Sequence, residues 1–279
     1  MTIDQIIDEA IREDVGDGDH SSLACIPSEA KGKAQLLVKE NGILAGIDIA
    51  LRIFNKVDPF LLVETKIKDG TPVFEGDVAL YVSGSKQSIL KAERLVLNIM
   101  QRMSGIASYT NKVVKLLEGT NTKVLDTRKT TPLLRELEKM AVVIGGGVNH
   151  RIGLYDMIML KDNHIDYAGG IDMAIAKTKK YLQESNKDLK IEVEARDLTE
   201  VQEILAIGGI DRIMLDNFSY EDTKMAVDLI DGRYEIESSG GITLETVAGY
   251  AACGVDFISL GALTHSVKSM DLSLKAIDL

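Results

Sequence analysis

The spacing of hydrophobic and polar positions changes character along this 279-residue chain. Ile3, Ile6, Ile7, Ala10 and Ile11 recur at steps of three and four, with Asp4, Asp8, Glu9 and Arg12 on the other face. That spacing predicts an amphipathic opening helix, and Val15-Gly16-Asp17-Gly18-Asp19 ends it in a turn. Strand-like runs follow over 33–39, 59–67 and 78–82, with a short helix over 47–57, which together predict a small α/β sandwich. From 86 to 118 the residues Ile89, Ala92, Val96, Ile99 and Met103 form one stripe of a long helix, with an interruption expected at Ser104-Gly105.

Beyond residue 120 the pattern becomes a repeat. Apolar runs beginning near Val124, Met157, Ile191, Ile213, Tyr234 and Phe257 alternate with helical stretches over 170–184, 198–207, 220–231 and 243–252. Such βαβ alternation predicts a parallel sheet with covering helices. Each run ends at or beside a polar residue or glycine: Asp126-Thr127-Arg128, Lys161, Glu194, Asp216, Ser238-Ser239-Gly240-Gly241 and Leu260-Gly261. In an α/β barrel these carboxyl ends open on one face, so residues distant in sequence would meet at one site. The runs number fewer than eight, so the expected fold class is α/β: an N-terminal α/β sandwich domain followed by an incomplete parallel α/β barrel. The domains are expected at 1–107 and 108–264.

Charge sharpens the picture. Residues 123–151 carry a local charge of +3 in a chain of net charge −11, leaving −14 for the remainder. A cationic cluster inside an acidic protein fits an anionic ligand gripped at several points. The sequence pI near 4.9 and the absence of Trp argue against nucleic-acid binding. No apolar run approaches the roughly 20 residues that span a bilayer. Cys25 and Cys253 lack partner or metal-ligand spacing, so reduced thiols and a cytoplasmic location are expected.

Arg128, Lys129, His150, Arg151 and Lys161 are candidate anion contacts, the arginines suiting planar carboxylates. The stretches at 237–242 and 259–263 offer small hydroxyls and bare N–H groups ahead of helices, either as a phosphate site or as plain strand-to-helix turns. Glu194 and Asp216 suggest a hard cation or sugar hydroxyls between them, or else structural ion pairs with the nearby cations. On the long helix, Arg102 has no local reason to be more than a surface arginine.

Taken in order and spacing, LDTRKTTP, GGGVNHRIGLYDMIMLKDNHI, EVEAR, IMLDN, ESSGGI and SLGALTHS closely resemble quinolinate phosphoribosyltransferase, over essentially the whole chain. The resemblance implies transfer of phosphoribose from phosphoribosyl pyrophosphate to quinolinate, with Mg²⁺, giving nicotinate mononucleotide, carbon dioxide and pyrophosphate in de novo NAD synthesis. It also implies a C-terminal tail, 265–279, that returns to the sandwich, and a homodimer, or a higher oligomer built from it, with shared sites. Residue by residue it implies that Arg128, His150, Arg151 and Lys161 bind quinolinate beside Thr127, with Arg102 entering from the partner subunit. Lys129 matches a residue near the phosphoribosyl group, and Glu194 and Asp216 match carboxylates at the ribose and the metal, directly or through water or substrate. Lys129, Lys161, Glu194 and Asp216 form the implied catalytic set, and Ser239, Gly240, Gly241 and Gly261 match phosphate-holding loops. Leu133 stands where glycine often follows TTP, and Val143-Ile144 where a cation and a cysteine are frequent. Rival readings are a nicotinate-type transferase of the same fold, an aldolase-like barrel with Lys161 as Schiff-base nucleophile, and a non-catalytic phosphometabolite sensor.

Overall fold

Residues 1–277 are described here from a computed structural model of the chain. Helix α1 (Ile3–Val15) starts at a reciprocal cap in which Gln5 N–H donates to Thr2 Oγ1 and Thr2 N–H donates to Gln5 Oε1, and it buries Ile3, Ile6 and Ile7. After α2 (His20–Cys25) come β1 (Lys31–Val38), β2 (Gly42–Ile43), α3 (Ile47–Val57), β3 (Leu62–Thr65), β4 (Pro72–Val73) and β5 (Val78–Ser85). The run expected over 59–67 is a strand only at 62–65. Asp58 turns the chain before it, accepting from Phe60 N–H through its side chain (2.9 Å) and from Leu61 N–H through its carbonyl (3.2 Å).

Helix α4 (Lys86–Leu116) is continuous through Ser104-Gly105, where an interruption was expected. Both residues serve packing instead. Ser104 Oγ accepts from Ala45 N–H (2.9 Å) and donates to Ala45 O (3.1 Å), so a buried hydroxyl is satisfied without disturbing the helix. At Gly105 a Cβ would collide with the Lys268 carbonyl, so glycine permits that close approach.

The chain continues with β6 (Lys123–Leu125), α5 (Arg135–Ile144), β7 (Ile158–Leu160), α6 (Asp162–Ala168), α7 (Ile171–Ser185), β8 (Ile191–Ala195), α8 (Leu198–Ile207) and β9 (Arg212–Asp216). It ends with α9 (Tyr220–Ile230), β10 (Glu235–Ser239), α10 (Val247–Ala252), β11 (Phe257–Ser259), α11 (Ala262–His265) and β12 (Leu272–Ile277). Two compact units result: 1–111 with 130–146 and the chain from Leu263 onward, and 112–129 with 147–262. Segment 130–146 therefore packs with the first unit, although it lies inside the stretch expected to be barrel.

In the first unit the sheet runs β12-β1-β5-β3 and is antiparallel throughout, with Leu36, Val38, Leu80 and Val82 among its buried residues. In the second, six parallel strands run β6-β11-β10-β9-β8-β7. Strands β6 and β7 end this order without pairing to each other, β6 being flanked only by a single parallel bridge from Leu125 to Val148, so the barrel is unclosed. β8 is buried along its whole length, as a parallel strand covered on both faces should be. Cys25 and Cys253 are free thiols. No helix among the described residues is long and apolar enough to cross a membrane.

Candidate active site

The carboxyl ends of the second unit's strands surround a cavity of about 220 Å³. Thr127, Arg128, Lys129, His150, Arg151, Lys161 and Ser239 line it, together with Met159, Met214, Glu237 and Ser259. Seven sequence-predicted residues thus meet in one place. The loop leaving β6 delivers three of them, and Thr127 Oγ1 fixes its shape by accepting from Lys129 N–H at 3.0 Å. Asp126, fully buried, accepts from His150 N–H at 2.8 Å and so ties this loop to the next cationic pair. Arg151 donates to Met157 O at 3.2 Å. Burial and the neighbouring Arg128 charge push the Arg151 guanidinium below its ordinary value. Two guanidiniums held close at a partly desolvated site call for an anion between them.

Glu194 and Asp216 stand beside the cavity. Lys161 Nζ donates to Glu194 Oε2 at 2.8 Å. Burial and the Glu194 charge push the Asp216 carboxyl upward, with Lys161 opposing. Neighbouring carboxylates, oxygen donors only, fit a hard cation such as Mg²⁺ held directly or through water and substrate oxygens. Gly240 and Gly241 adopt left-handed φ of 92° and 59° after β10. A Cβ on Gly240 would collide with Asn217, whose N–H donates to Ser239 O at 2.9 Å, so this turn closes only around glycine. The two expected helix N-termini differ: α10 begins at Val247, well past Gly241, whereas α11 (Ala262–His265) begins directly after Gly261 but is a single turn. At Gly240 and Gly241 an anion would meet turn backbone and not a helix N-terminus.

Sequence reasoning missed the layer beneath. Glu192, Arg212 and Glu237 are buried in adjacent strands, with Glu192 in register with Arg212 and Glu237 with Met214. His150 Nε2 lies 3.0 Å from Glu192 Oε2 and 3.3 Å from Glu237 Oε2. Burial opposes charge on this imidazole, but the two carboxylates outweigh it and lift its pKa to about 9. Burial and the Glu237 charge raise Glu192 to about 7, whereas His150, Ser259 and Arg212 together overcome burial and hold Glu237 low. The cluster therefore retains a proton as a unit at neutral pH. Three of its residues could also bring one ligand atom each to a metal, but the imidazole and the Arg212 charge make this a poor magnesium site.

Residues 19–104 match the family model for the quinolinate phosphoribosyl transferase N-terminal domain, and 106–275 match its C-terminal domain. The chain belongs to the quinolinate phosphoribosyltransferase family. It is 47% identical over 285 residues to quinolinate phosphoribosyltransferase [decarboxylating] 1b of Nicotiana tabacum, covering 97% of this chain and 81% of that protein. Identity is 40% to a probable nicotinate-nucleotide pyrophosphorylase [carboxylating] of Bacillus subtilis, covering 98% of this chain and 93% of the other. The solved structure of NadC from Streptococcus pyogenes superposes with a TM-score of 0.93 at 42% identity, over 99% of this chain and 97% of that one.

Within the chain, Arg102 and Leu133 both lie in the first unit. Arg102 Nε and Nη2 donate to Glu138 Oε1 (3.1 and 2.8 Å), Nη1 to Val267 O (3.1 Å), and Nη2 also to Thr264 O. Glu138, only 1% exposed, also accepts from Thr131 N–H and Oγ1, at 3.2 and 2.7 Å. Arg102 is thus no ordinary surface arginine: one buried carboxylate anchors it to the TTP turn. Leu133, in that turn, has φ of 68°, a left-handed conformation that explains why glycine is frequent there. Val143 is half-exposed near the end of α5, and nothing in the structure explains the departure at 143–144.

Proposed function

We propose that the chain joins quinolinate to phosphoribosyl pyrophosphate and decarboxylates the product to nicotinate mononucleotide, as a step of de novo NAD synthesis. The observation that carries this reading is the cationic lining of the cavity. Arg128, Arg151, His150, Lys129 and Lys161 converge on a space suited to a small aromatic acid with two carboxylates. On this reading Arg128, His150, Arg151 and Lys161 hold the acceptor beside Thr127, and Lys129 faces the phosphoribosyl group. Ser239, Gly240, Gly241 and Gly261 hold phosphate. Glu194 and Asp216 stabilise the positive charge that grows on the ribose as pyrophosphate leaves. They would also hold Mg²⁺, which supplies charge neutralisation for the pyrophosphate. The pyridine nitrogen then bonds to the ribose carbon and becomes cationic. The adjacent carbon–carboxylate bond breaks, its electron pair stays on the ring carbon beside that cation, carbon dioxide departs, and a proton restores the C–H bond. An ammonium group already paired with Glu194 is poorly placed to serve as a Schiff-base nucleophile, which sets the aldolase-like reading aside. The proposal extends to a cytoplasmic location and to a homodimer in which the partner subunit lends Arg102.

Turnover with nicotinate in place of quinolinate tests this reading. Losing one carboxylate leaves partly buried cations unpaired, so kcat/KM for nicotinate is expected to fall by about a thousandfold or more. Comparable rates for the two acids would overturn the assignment.

A further inference from the structure

We propose that Glu237 is a positioning residue for the acceptor cavity, acting with Glu192 and Arg212 to hold the His150 imidazole in one orientation and one proton arrangement. The proposal rests on the reading of the cavity as the acceptor site, and it concerns residues to which that reading gives no role.

The geometry is a chain of constraints. Arg212 cannot swing: its Nε and Nη2 donate to Glu235 Oε2 at 3.3 and 3.0 Å, its Nη1 donates to Glu237 Oε2 at 3.1 Å, and its guanidinium lies over the Phe257 ring at 4.1 Å. The same oxygen, Glu237 Oε2, stands 3.3 Å from His150 Nε2. Thus one carboxylate oxygen links an immobile arginine to the histidine. Glu192 Oε2, at 3.0 Å, meets Nε2 from the neighbouring β8. On the opposite edge of the ring, Nδ1 accepts from Arg151 N–H at 2.6 Å, while His150 N–H donates to Asp126. An Nε2 proton therefore faces the two carboxylates. The charged groups facing His150 are Glu192 from β8, Glu237 from β10, and Asp126 and Arg151 from its own loops, with Arg212 of β9 behind the carboxylates.

Structural filler would not need this composition. Glu192 and Glu237 are both fully buried, at 0% exposure, and a buried like-charged pair is costly unless it holds something. What it holds is a lining residue of the cavity, and Glu237 reaches the lining itself. Removing the Glu237 charge should free the imidazole to turn, and the defect should appear in acceptor binding.

The test is a double-mutant cycle of Glu237→Gln and His150→Asn, each checked for folding by thermal melt. Glu237→Gln is expected to raise KM for quinolinate by about tenfold, with kcat within threefold and KM for phosphoribosyl pyrophosphate unchanged. In the His150→Asn background the same substitution should add nothing. Equal effects in both backgrounds, or an unchanged KM, would overturn the proposal. Should Glu237→Gln fail to fold, imidazole ¹⁵N signals of the wild-type protein decide. The His150 pair is expected to stay constant from pH 6 to 8 with Nε2 protonated throughout, and titration near the ordinary histidine value would overturn the idea. Turnover of wild type with quinolinate, run alongside, separates failure of the acceptor-site reading from failure of the Glu237 role.

Discussion

Glu194→Gln is expected to lower kcat by about a hundredfold or more while titration with quinolinate still saturates. Glu194 is buried and accepts from Lys161 Nζ at 2.8 Å, so its charge serves two neighbours. On the proposed reading it would offset positive charge developing on the ribose, which glutamine cannot do. It would also compete with the acceptor carboxylate for the Lys161 ammonium group. Neutralising Glu194 weakens that competition, so quinolinate affinity should hold or rise. Asp216→Asn should share the loss of rate, because the proximity of Glu194 marks Asp216 as belonging to the same electrostatic unit. Isothermal titration beside steady-state kinetics separates the two effects. Loss of quinolinate affinity in both variants would show that the carboxylates belong to the acceptor side.

The second large effect concerns Arg102 and the proposed sharing of sites. Four of the guanidinium's five N–H donors are engaged inside the first unit, by Glu138, Val267 O and Thr264 O. What Arg102 can offer an acceptor is one remaining donor and a full charge at a fixed place. Truncation to alanine would strand the buried Glu138 carboxylate, so Arg102→Gln, which can still donate to it, is the cleaner variant. Arg102→Gln and Lys161→Ala homodimers are each expected to be nearly inactive. Co-expressed, they give about half mixed dimers, each with one doubly damaged and one intact site, so activity should recover to roughly a quarter of wild type. Verified subunit exchange without recovery would refute the shared site and leave the reaction untouched.

Much of the site was legible because each strand of the second unit ends at or beside a polar residue, and Lys161, Glu194, Asp216 and Ser239 read directly as strand-end groups. The layer below was equally present in the sequence, but its carboxylates lie inside the strands and not at their ends. Side chains two residues apart on a strand share a face. Glu192 precedes Glu194, and Glu237 precedes Ser239, by that interval, so both carboxylates point the same way as the residues that were recognised. Glu138 escaped for another reason. Helix α5 is short and lies between the TTP turn and three glycines, and only Leu137, Ala141 and Val142, at helical spacing, mark its apolar buried face. The break expected at Ser104-Gly105 followed from local propensity, which the Ala45 and Lys268 contacts override. The glycine turns at 240–241 and 261 do follow strands β10 and β11, but the helix after the first starts late and the one after the second is a single turn, which the glycines alone could not reveal.

One measurement addresses the central claim, that this cavity binds a pyridine dicarboxylate, joins it to phosphoribose and removes one carboxyl group. Quinolinate labelled with ¹³C separately at the 2- and the 3-carboxylate, incubated with phosphoribosyl pyrophosphate and Mg²⁺, can be followed by NMR. The account predicts that the 2-carboxylate label leaves as carbon dioxide and bicarbonate, in step with pyrophosphate release, while the 3-carboxylate label stays in the mononucleotide. Retention of both labels in a dicarboxylate nucleotide, release of the 3-carboxylate, or no consumption of quinolinate by folded protein would contradict it.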